Sequence, residues 1–208
     1  PRIHNKKQSR LDSDEMKELL TDVITGDALD DNKKPYARRS NMRDTAIIAL
    51  LGGTGIRVSE LVGIDLNDID WEHNCIRIIR KGGNEDIVYF GDELHRYLED
   101  YINYEREPGD DKEKALFVAS RKDKGRLTVR SVERIVSKYG TATIPSKHLS
   151  PHSLRRTFGT NYYEETSDLY AVADALGHKN IQVTKDHYAD ISERKKQQVK
   201  EFSDKLLK

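Results

Sequence analysis

His152 and Arg155 stand three residues apart in a stretch that reads PHSLRRTFGTNYYEETSDLYAVADALGHKNIQVTKDHY from Pro151 to Tyr188. On a helix, residues i and i+3 project from one face, so an imidazole and a guanidinium can reach one small target together. Ser150-Pro151 is a helix start signal, and a helix N-terminus turns N–H groups toward an anion. The guest that suits imidazole, guanidinium and helix start together is a phosphate. Leu176-Gly177-His178 follows, where Gly177 reads as a helix stop that brings a second histidine to the surface. Ten residues beyond His178 stands Tyr188, an oxygen nucleophile. Taken singly, each has a plain structural reading: a satisfied core histidine, a surface ion pair, a packing tyrosine.

Two upstream residues complete a set. Arg57 stands in GTGIRVSEL, where glycines permit a tight turn and a new helix begins near Arg57. Lys81 stands in the turn Lys81-Gly82-Gly83-Asn84, between the β-branched run Cys75–Ile79 and the return run Ile87–Phe90, which together read as a hairpin. Alone, Arg57 reads as an ion pair with Glu60, and Lys81 as a solubilising turn residue.

H-x-x-R, then L-G-H, then Tyr, preceded by T-G-x-R-x-S-E-L and a hairpin lysine, resembles the tyrosine recombinases: phage-type integrases, Xer-type resolvases and Cre-like enzymes. The resemblance covers residues 10 to about 190 and keeps the family's order of motifs. It implies that Arg57 and Arg155 bind the scissile phosphate and that Lys81 protonates the leaving 5′ oxygen. It gives His152 the tyrosine proton or the orienting of the phosphate, gives His178 a hydrogen bond to a nonbridging oxygen, and makes Tyr188 the nucleophile. Glu60 becomes a supporting residue that orients Arg57 or braces its helix. Two positions depart from the family. Arg156 replaces a common second histidine, and Glu85 replaces a further basic residue near the hairpin.

The implied reaction is transesterification through a 3′-phosphotyrosine, giving DNA integration, excision or resolution by a site-specific recombinase of the kind mobile elements carry. The implied partners are double-stranded DNA with specific recombination sites and three further copies of the chain, as a homo-tetramer on DNA. No His/Asp/Glu cluster at ligand spacing and no zinc-type cysteine set is present, so neither metal nor cofactor is expected. Two rival readings remain open: a topoisomerase that nicks and reseals one strand, and a DNA-binding module with relic catalytic residues.

The elements that must position these groups follow from pattern. The fold class expected is α+β, mainly helical, the tyrosine recombinase catalytic fold with a small three-stranded antiparallel sheet. Asp12-Ser13 caps a first helix with Met16, Leu19, Leu20, Val23 and Ile24 as its stripe. A second runs from Ser40 to Leu51, broken at Gly52-Gly53-Thr54-Gly55. Gly91-Asp92 opens a third with Leu94, Leu98 and Tyr101 inward. Ala115–Val118 is read as the third strand. Thr128 caps a helix whose Arg130, Arg134 and Lys138 form an exposed basic stripe, read as DNA-facing together with Arg156. Residues 1–10 read as a linker or tail, 11–190 as the catalytic domain, and 191–208 as a C-terminal helix that packs on its own core or on a neighbouring protomer. The resemblance implies a further N-terminal helical domain that clamps the other side of the DNA, which is expected to be missing here.

Composition bounds the rest. Lys+Arg and Asp+Glu are both 36 in 208 residues, so the net charge is zero and the usual electropositive signal of a DNA binder is absent. The charges are nevertheless segregated, with basic runs at Lys33–Arg43, Arg121–Lys138 and Lys147–Arg156 and acidic runs at Asp12–Asp31 and Asp92–Glu113. One cysteine, Cys75, excludes an internal disulfide. No apolar run reaches membrane-spanning length and no secretory signal is seen, so a cytoplasmic protein without membrane partners is expected.

Overall fold

The computed structural model describes residues 10–106, 114–119, 125–178, 182 and 184. The chain divides into two compact units, Pro1–Phe158 and Gly159–Lys208.

In the first unit, α1 (Ser13–Thr25) starts at a capping box. Asp12 accepts from the N–H groups of Asp14 and Glu15 at 3.0 and 2.9 Å, and Glu15 reaches back to the Asp12 N–H at 2.8 Å. It stops at Gly26, whose φ of +75° suits glycine. A short α2 (Lys34–Ala37) leads into α3 (Asn41–Thr54), which is buried on nearly all sides from Arg43 to Leu51. The expected break at 52–55 is narrower than the four residues suggest. Gly52, Gly53 and Thr54 remain helical, and only Gly55 turns left-handed, at φ +66°, with its N–H on the Leu51 carbonyl at 3.1 Å. Thr54 Oγ1 donates to the Leu50 carbonyl at 2.6 Å, which holds the last turn closed.

Next come α4 (Val58–Gly63), a 3₁₀ turn (Leu66–Asp68), and an antiparallel sheet in the order β1 (Ile69–Asp70), β2 (Cys75–Ile79), β3 (Glu85–Tyr89). Ile69 pairs with Ile76, and Arg77 with Ile87. The sheet is three-stranded as expected, but its third strand is Ile69–Asp70. Ala115 and Val118 make only isolated bridges, to Asp65 and Arg126. Ala115, Leu116, Phe117 and Val118 are all buried, so the segment lacks the in–out alternation of a strand with one wet face. It serves instead as a crosslink, with Leu116 N–H on the Ile64 carbonyl and Leu127 N–H on the Phe117 carbonyl, both at 2.9 Å.

After the sheet, α5 (Asp92–Asp100) runs on into a π-helical turn (Tyr101–Glu105). That turn delivers Glu105 to the start of α3, where its carboxylate accepts from Met42 N–H at 2.8 Å and Arg43 N–H at 3.3 Å. Burial pushes the Glu105 carboxyl up, against those two N–H groups and the Arg43 charge, which lower it.

The N-cap of α6 (Val129–Thr143) is Thr128, whose Oγ1 accepts from Ser131 N–H at 3.2 Å. The sequence reads Gly140–Leu149 as a connection, but this helix runs four residues into it, to Thr143. Gly140 is buried against Leu149, where an added Cβ would stand 2.6 Å from the Leu149 Cβ. Val132, Ile135, Val136 and Tyr139 of α6 join Leu19, Ile47, Leu50, Leu98, Tyr101 and Phe117 in one core. A buried ionic group sits among them. Arg43 donates to Asp44 at 2.8 Å and to the Val118 carbonyl at 3.2 Å, and Lys138 donates to Asp44 at 3.0 Å. Charges this dry persist only when paired.

Finally, α7 (Pro151–Thr166) runs from the first unit into the second. The second unit continues with α8 (Leu169–Ala175). Asp168 caps it, accepting from Tyr170 and Ala171 N–H at 2.8 and 3.0 Å. The stop at Gly177 is as expected, with φ +60°. No helix among the described residues is long and apolar enough to cross a membrane.

Candidate active site

The joint between α3 and α4 gathers the key groups of the first unit. Gly55 ends α3, Ile56 is buried, and Arg57 takes an extended backbone (φ −76°, ψ 149°) as the N-cap of α4. Glu60, one turn on, holds Arg57 twice. Its Oε2 accepts from the Arg57 backbone N–H and its Oε1 from Arg57 Nη1, both at 2.7 Å. The Glu60 side chain is 2% exposed, and that of Arg57 is 33% exposed. Arg57 spends one of its five side-chain N–H donors on Glu60 and makes no other side-chain hydrogen bond among the described residues. A guanidinium fixed at one end and open at the other is suited to an anion.

Arg155 reaches the same joint from α7. It is 8% exposed, and its Nη1 donates to the carbonyl of Gly55, two residues before Arg57. The left-handed turn that only glycine adopts easily is what aims that carbonyl. Arg57 and Arg155 are thus brought together by backbone geometry, from positions 98 residues apart in the sequence. His152 lies one turn before Arg155 on α7 and is exposed. Arg156 is half-buried.

The helix start contributes less than expected to anion binding. Ser150 Oγ accepts from Ser153 N–H at 3.2 Å, and Ser153 Oγ accepts from Ser150 N–H at 2.8 Å. Pro151 has no N–H, so this reciprocal cap uses much of the first turn. The anion-binding capacity here rests on side chains.

Lys81 is exposed at the tip of the β2–β3 turn, where Gly82 and Gly83 have φ of +98° and +83°. The turn is tied to the α3–α4 joint by its neighbour. Arg80 Nη1 donates to Glu60 Oε2 at 3.1 Å, and Arg80 Nε donates to Asp86 at 2.8 Å. One buried carboxylate therefore serves both Arg57 and Arg80, and its burial is offset by two guanidiniums. Neither Arg80 nor Asp86 stood out in the sequence, yet a signal was there. Continued one residue past β2, the strand's alternation puts Arg80 in the parity of Ile76 and Ile78, both buried.

His178 belongs to the second unit. Its N–H bonds the Ala173 carbonyl at 2.8 Å, and its Nδ1 lies 2.9 Å from the hydroxyl of Thr184, which is fully buried. The ring is thereby oriented by a fixed partner. Tyr188 and residues 191–208, expected to form a C-terminal helix, lie outside the described residues. Of the expected basic stripe, Arg130 and Arg134 are exposed. Lys138 is not. It turns inward to the fully buried Asp44 and lies 4.0 Å over the Tyr139 ring, because an unpaired Asp44 would be costly there.

A cavity of about 480 Å³, lined by Arg38, Arg39, Met42, Tyr104 and Glu105 among others, lies at the opposite end of α3 from Arg57. A helix of 14 residues spans about 20 Å, so this cavity is separate from the arginine pair.

The comparisons agree with one another. The model of the phage integrase family matches residues 9–195. Tyrosine recombinase XerC of Corynebacterium glutamicum is 37% identical over 189 residues, covering 86% of this chain and 60% of that protein. The crystal structure of XerA recombinase is similar at a TM-score of 0.72 and 26% identity, covering 90% of this chain and 61% of that one. XerH site-specific recombinase, solved with a palindromic difH substrate as a post-cleavage complex, shares the fold at a TM-score of 0.74 and 22% identity, covering 94% and 53%. The chain spans between 53% and 61% of the length of these proteins.

Proposed function

The chain belongs to the phage integrase family, and from that premise we propose that it carries the catalytic centre of a site-specific DNA recombinase that cuts and rejoins strands through Tyr188. The observation that carries this reading is the meeting of two guanidiniums at one backbone joint: Arg155 on the Gly55 carbonyl, and Arg57 as the next N-cap. Arginine suits a phosphoryl centre because it stays cationic and presents a planar fork to two oxygens.

In the proposed reaction the Tyr188 oxygen attacks phosphorus, forming the Tyr–O–P bond as the P–O5′ bond breaks. The phenol, with an ordinary pKa of about 10, sheds its proton as it attacks, with His152 as acceptor or phosphate orienter. The leaving 5′ oxygen takes a proton from Lys81. Arg57, Arg155 and His178 carry the charge that grows on the nonbridging oxygens. The 3′-phosphotyrosyl ester conserves the energy of the broken bond. A 5′ hydroxyl from another strand reverses the step and releases Tyr188. Arg130, Arg134 and Arg156 contact the DNA backbone around the cut. The protein acts in the cytoplasm on double-stranded recombination sites, as four protomers on two sites, and the residues after 190 pack in cis or in trans.

The test is single-turnover cleavage of nicked duplexes drawn from the DNA flanking the protein's own coding region. Arg57→Ala and Arg155→Ala are each expected to slow covalent adduct formation by about 10²–10³-fold. Cleavage by both variants at the unmodified rate would defeat the assignment of the arginine pair.

A further inference from the structure

Arg80 takes no part in the reaction above, yet both its side chain and its backbone are held by hydrogen bonds. It is 8% exposed and stands just past the end of β2, in the same parity as the buried Ile76 and Ile78. A guanidinium is kept in such a place only where its donors are satisfied. Nη1 donates to Glu60 at 3.1 Å and Nε to Asp86 at 2.8 Å. Its backbone closes the turn as well. The Arg80 N–H donates to the Asn84 carbonyl at 2.8 Å, and its own carbonyl accepts from Gly83 N–H at 3.0 Å.

One residue therefore bonds to the helix that follows Arg57, to the far strand, and to both sides of the turn that presents Lys81. Glu60 completes the link, since the oxygen that receives Arg80 Nη1 also receives the Arg57 backbone N–H. Gly82 and Gly83 adopt positive φ with open space around them, so the two backbone bonds close the turn but no packing at the glycines holds it against the rest of the fold.

We propose that Arg80 is the positioning residue for Lys81. Clamped between Glu60 and Asp86, it holds the turn in register with Arg57, so that proton donor and phosphate-binding guanidinium meet one phosphodiester. The inference rests on the reading of Lys81 as the group that protonates the 5′ oxygen. Arg80 acts through Lys81 and does not itself touch the DNA.

The test uses the full chain and two suicide duplexes, one ordinary and one with sulfur in place of the bridging 5′ oxygen. A thiolate leaves without being protonated, so only the ordinary duplex needs Lys81. Arg80→Met is expected to slow cleavage of the ordinary duplex by about 10²-fold, the scale of a displaced catalytic group. It should leave the sulfur duplex and DNA affinity close to the unmodified protein, with Arg80→Lys in between. Equal loss on both duplexes, or a loss explained by weaker binding, would overturn the proposal. Should the unmodified protein cleave neither duplex, the recombinase reading fails, and amide hydrogen exchange judges the clamp alone. Faster exchange at residues 81–84 in Arg80→Met, with α3 and α6 still protected, supports it. Unchanged exchange at the turn refutes it.

Discussion

At the scale of the residue, the protein shows how a buried charge is made useful. Glu60 has almost no contact with water, so it must be paired, and both partners lead to the proposed chemistry. Arg57 could be read from its motif, because T-G-x-R-x-S-E-L is specific. Arg80 could not be read from type alone, since an arginine beside a turn lysine is ordinarily solvated. Only its parity with Ile76 and Ile78 marked it, and parity is weak evidence for a residue at a strand end. Lys138 misled for the converse reason. Its helical spacing from Arg130 and Arg134 is right for a stripe, but Asp44, 94 residues away, draws it inward. Tyr139 offers a clean test of this dry region. Its hydroxyl is buried near the Asp44 carboxylate without a hydrogen bond of good geometry among the described residues, and burial, with the Asp44 charge beside it, pushes its ionisation well above the ordinary tyrosine range. Since an unmade hydrogen bond costs about 1–3 kcal/mol, Tyr139→Phe should leave stability unchanged or raise it by up to that amount. Urea denaturation that showed Tyr139→Phe to be clearly destabilised would mean the hydroxyl is satisfied.

At the scale of the element, helices were more legible than strands. α1, α5 and α6 begin where their caps and stripes place them, because Asp12, Gly91 and Thr128 act locally. The third strand was misplaced because the choice depends on remote pairing. Ile69–Asp70 is only two residues long and unremarkable in sequence, whereas Ala115–Val118 looks like a strand but is buried throughout. Gly140 misled for a related reason. It reads as a helix end, but it is a site of close approach between α6 and Leu149. Gly140→Ala should therefore destabilise the fold by about 1–3 kcal/mol, the usual cost of overpacking, despite alanine's better helix propensity. A rise in the midpoint of thermal unfolding for Gly140→Ala would contradict that packing.

At the scale of the whole molecule, zero net charge is compatible with a DNA partner only if the basic residues are segregated. Arg130 and Arg134 are exposed on one helix, which is the arrangement that would place them on phosphates. If each neutralises one phosphate, replacing both with alanine should lower the slope of log affinity against log salt by about 2. A slope unchanged in the double variant would remove α6 from the DNA face. The division at Phe158 and Gly159 leaves the arginine pair and the lysine turn in one unit and His178 in the other. The fold class, the arginines and the helix stop before His178 came from short motifs and caps, whereas the Thr184 hydroxyl that orients the His178 ring did not. The carboxylate that joins the hairpin to the arginine joint required the tertiary structure, because its partners are separated by up to 23 residues.

The central claim is that Tyr188 becomes covalently joined to DNA, and the most direct measurement is on that bond. The protein would be incubated with a nicked duplex in chelating buffer, the adduct digested with protease and nuclease, and the modified peptide sequenced by mass spectrometry. The account predicts a phosphonucleotide on Tyr188, formed without divalent metal and lost in Tyr188→Phe. An adduct on another residue, or adduct formation undiminished in Tyr188→Phe, would contradict it.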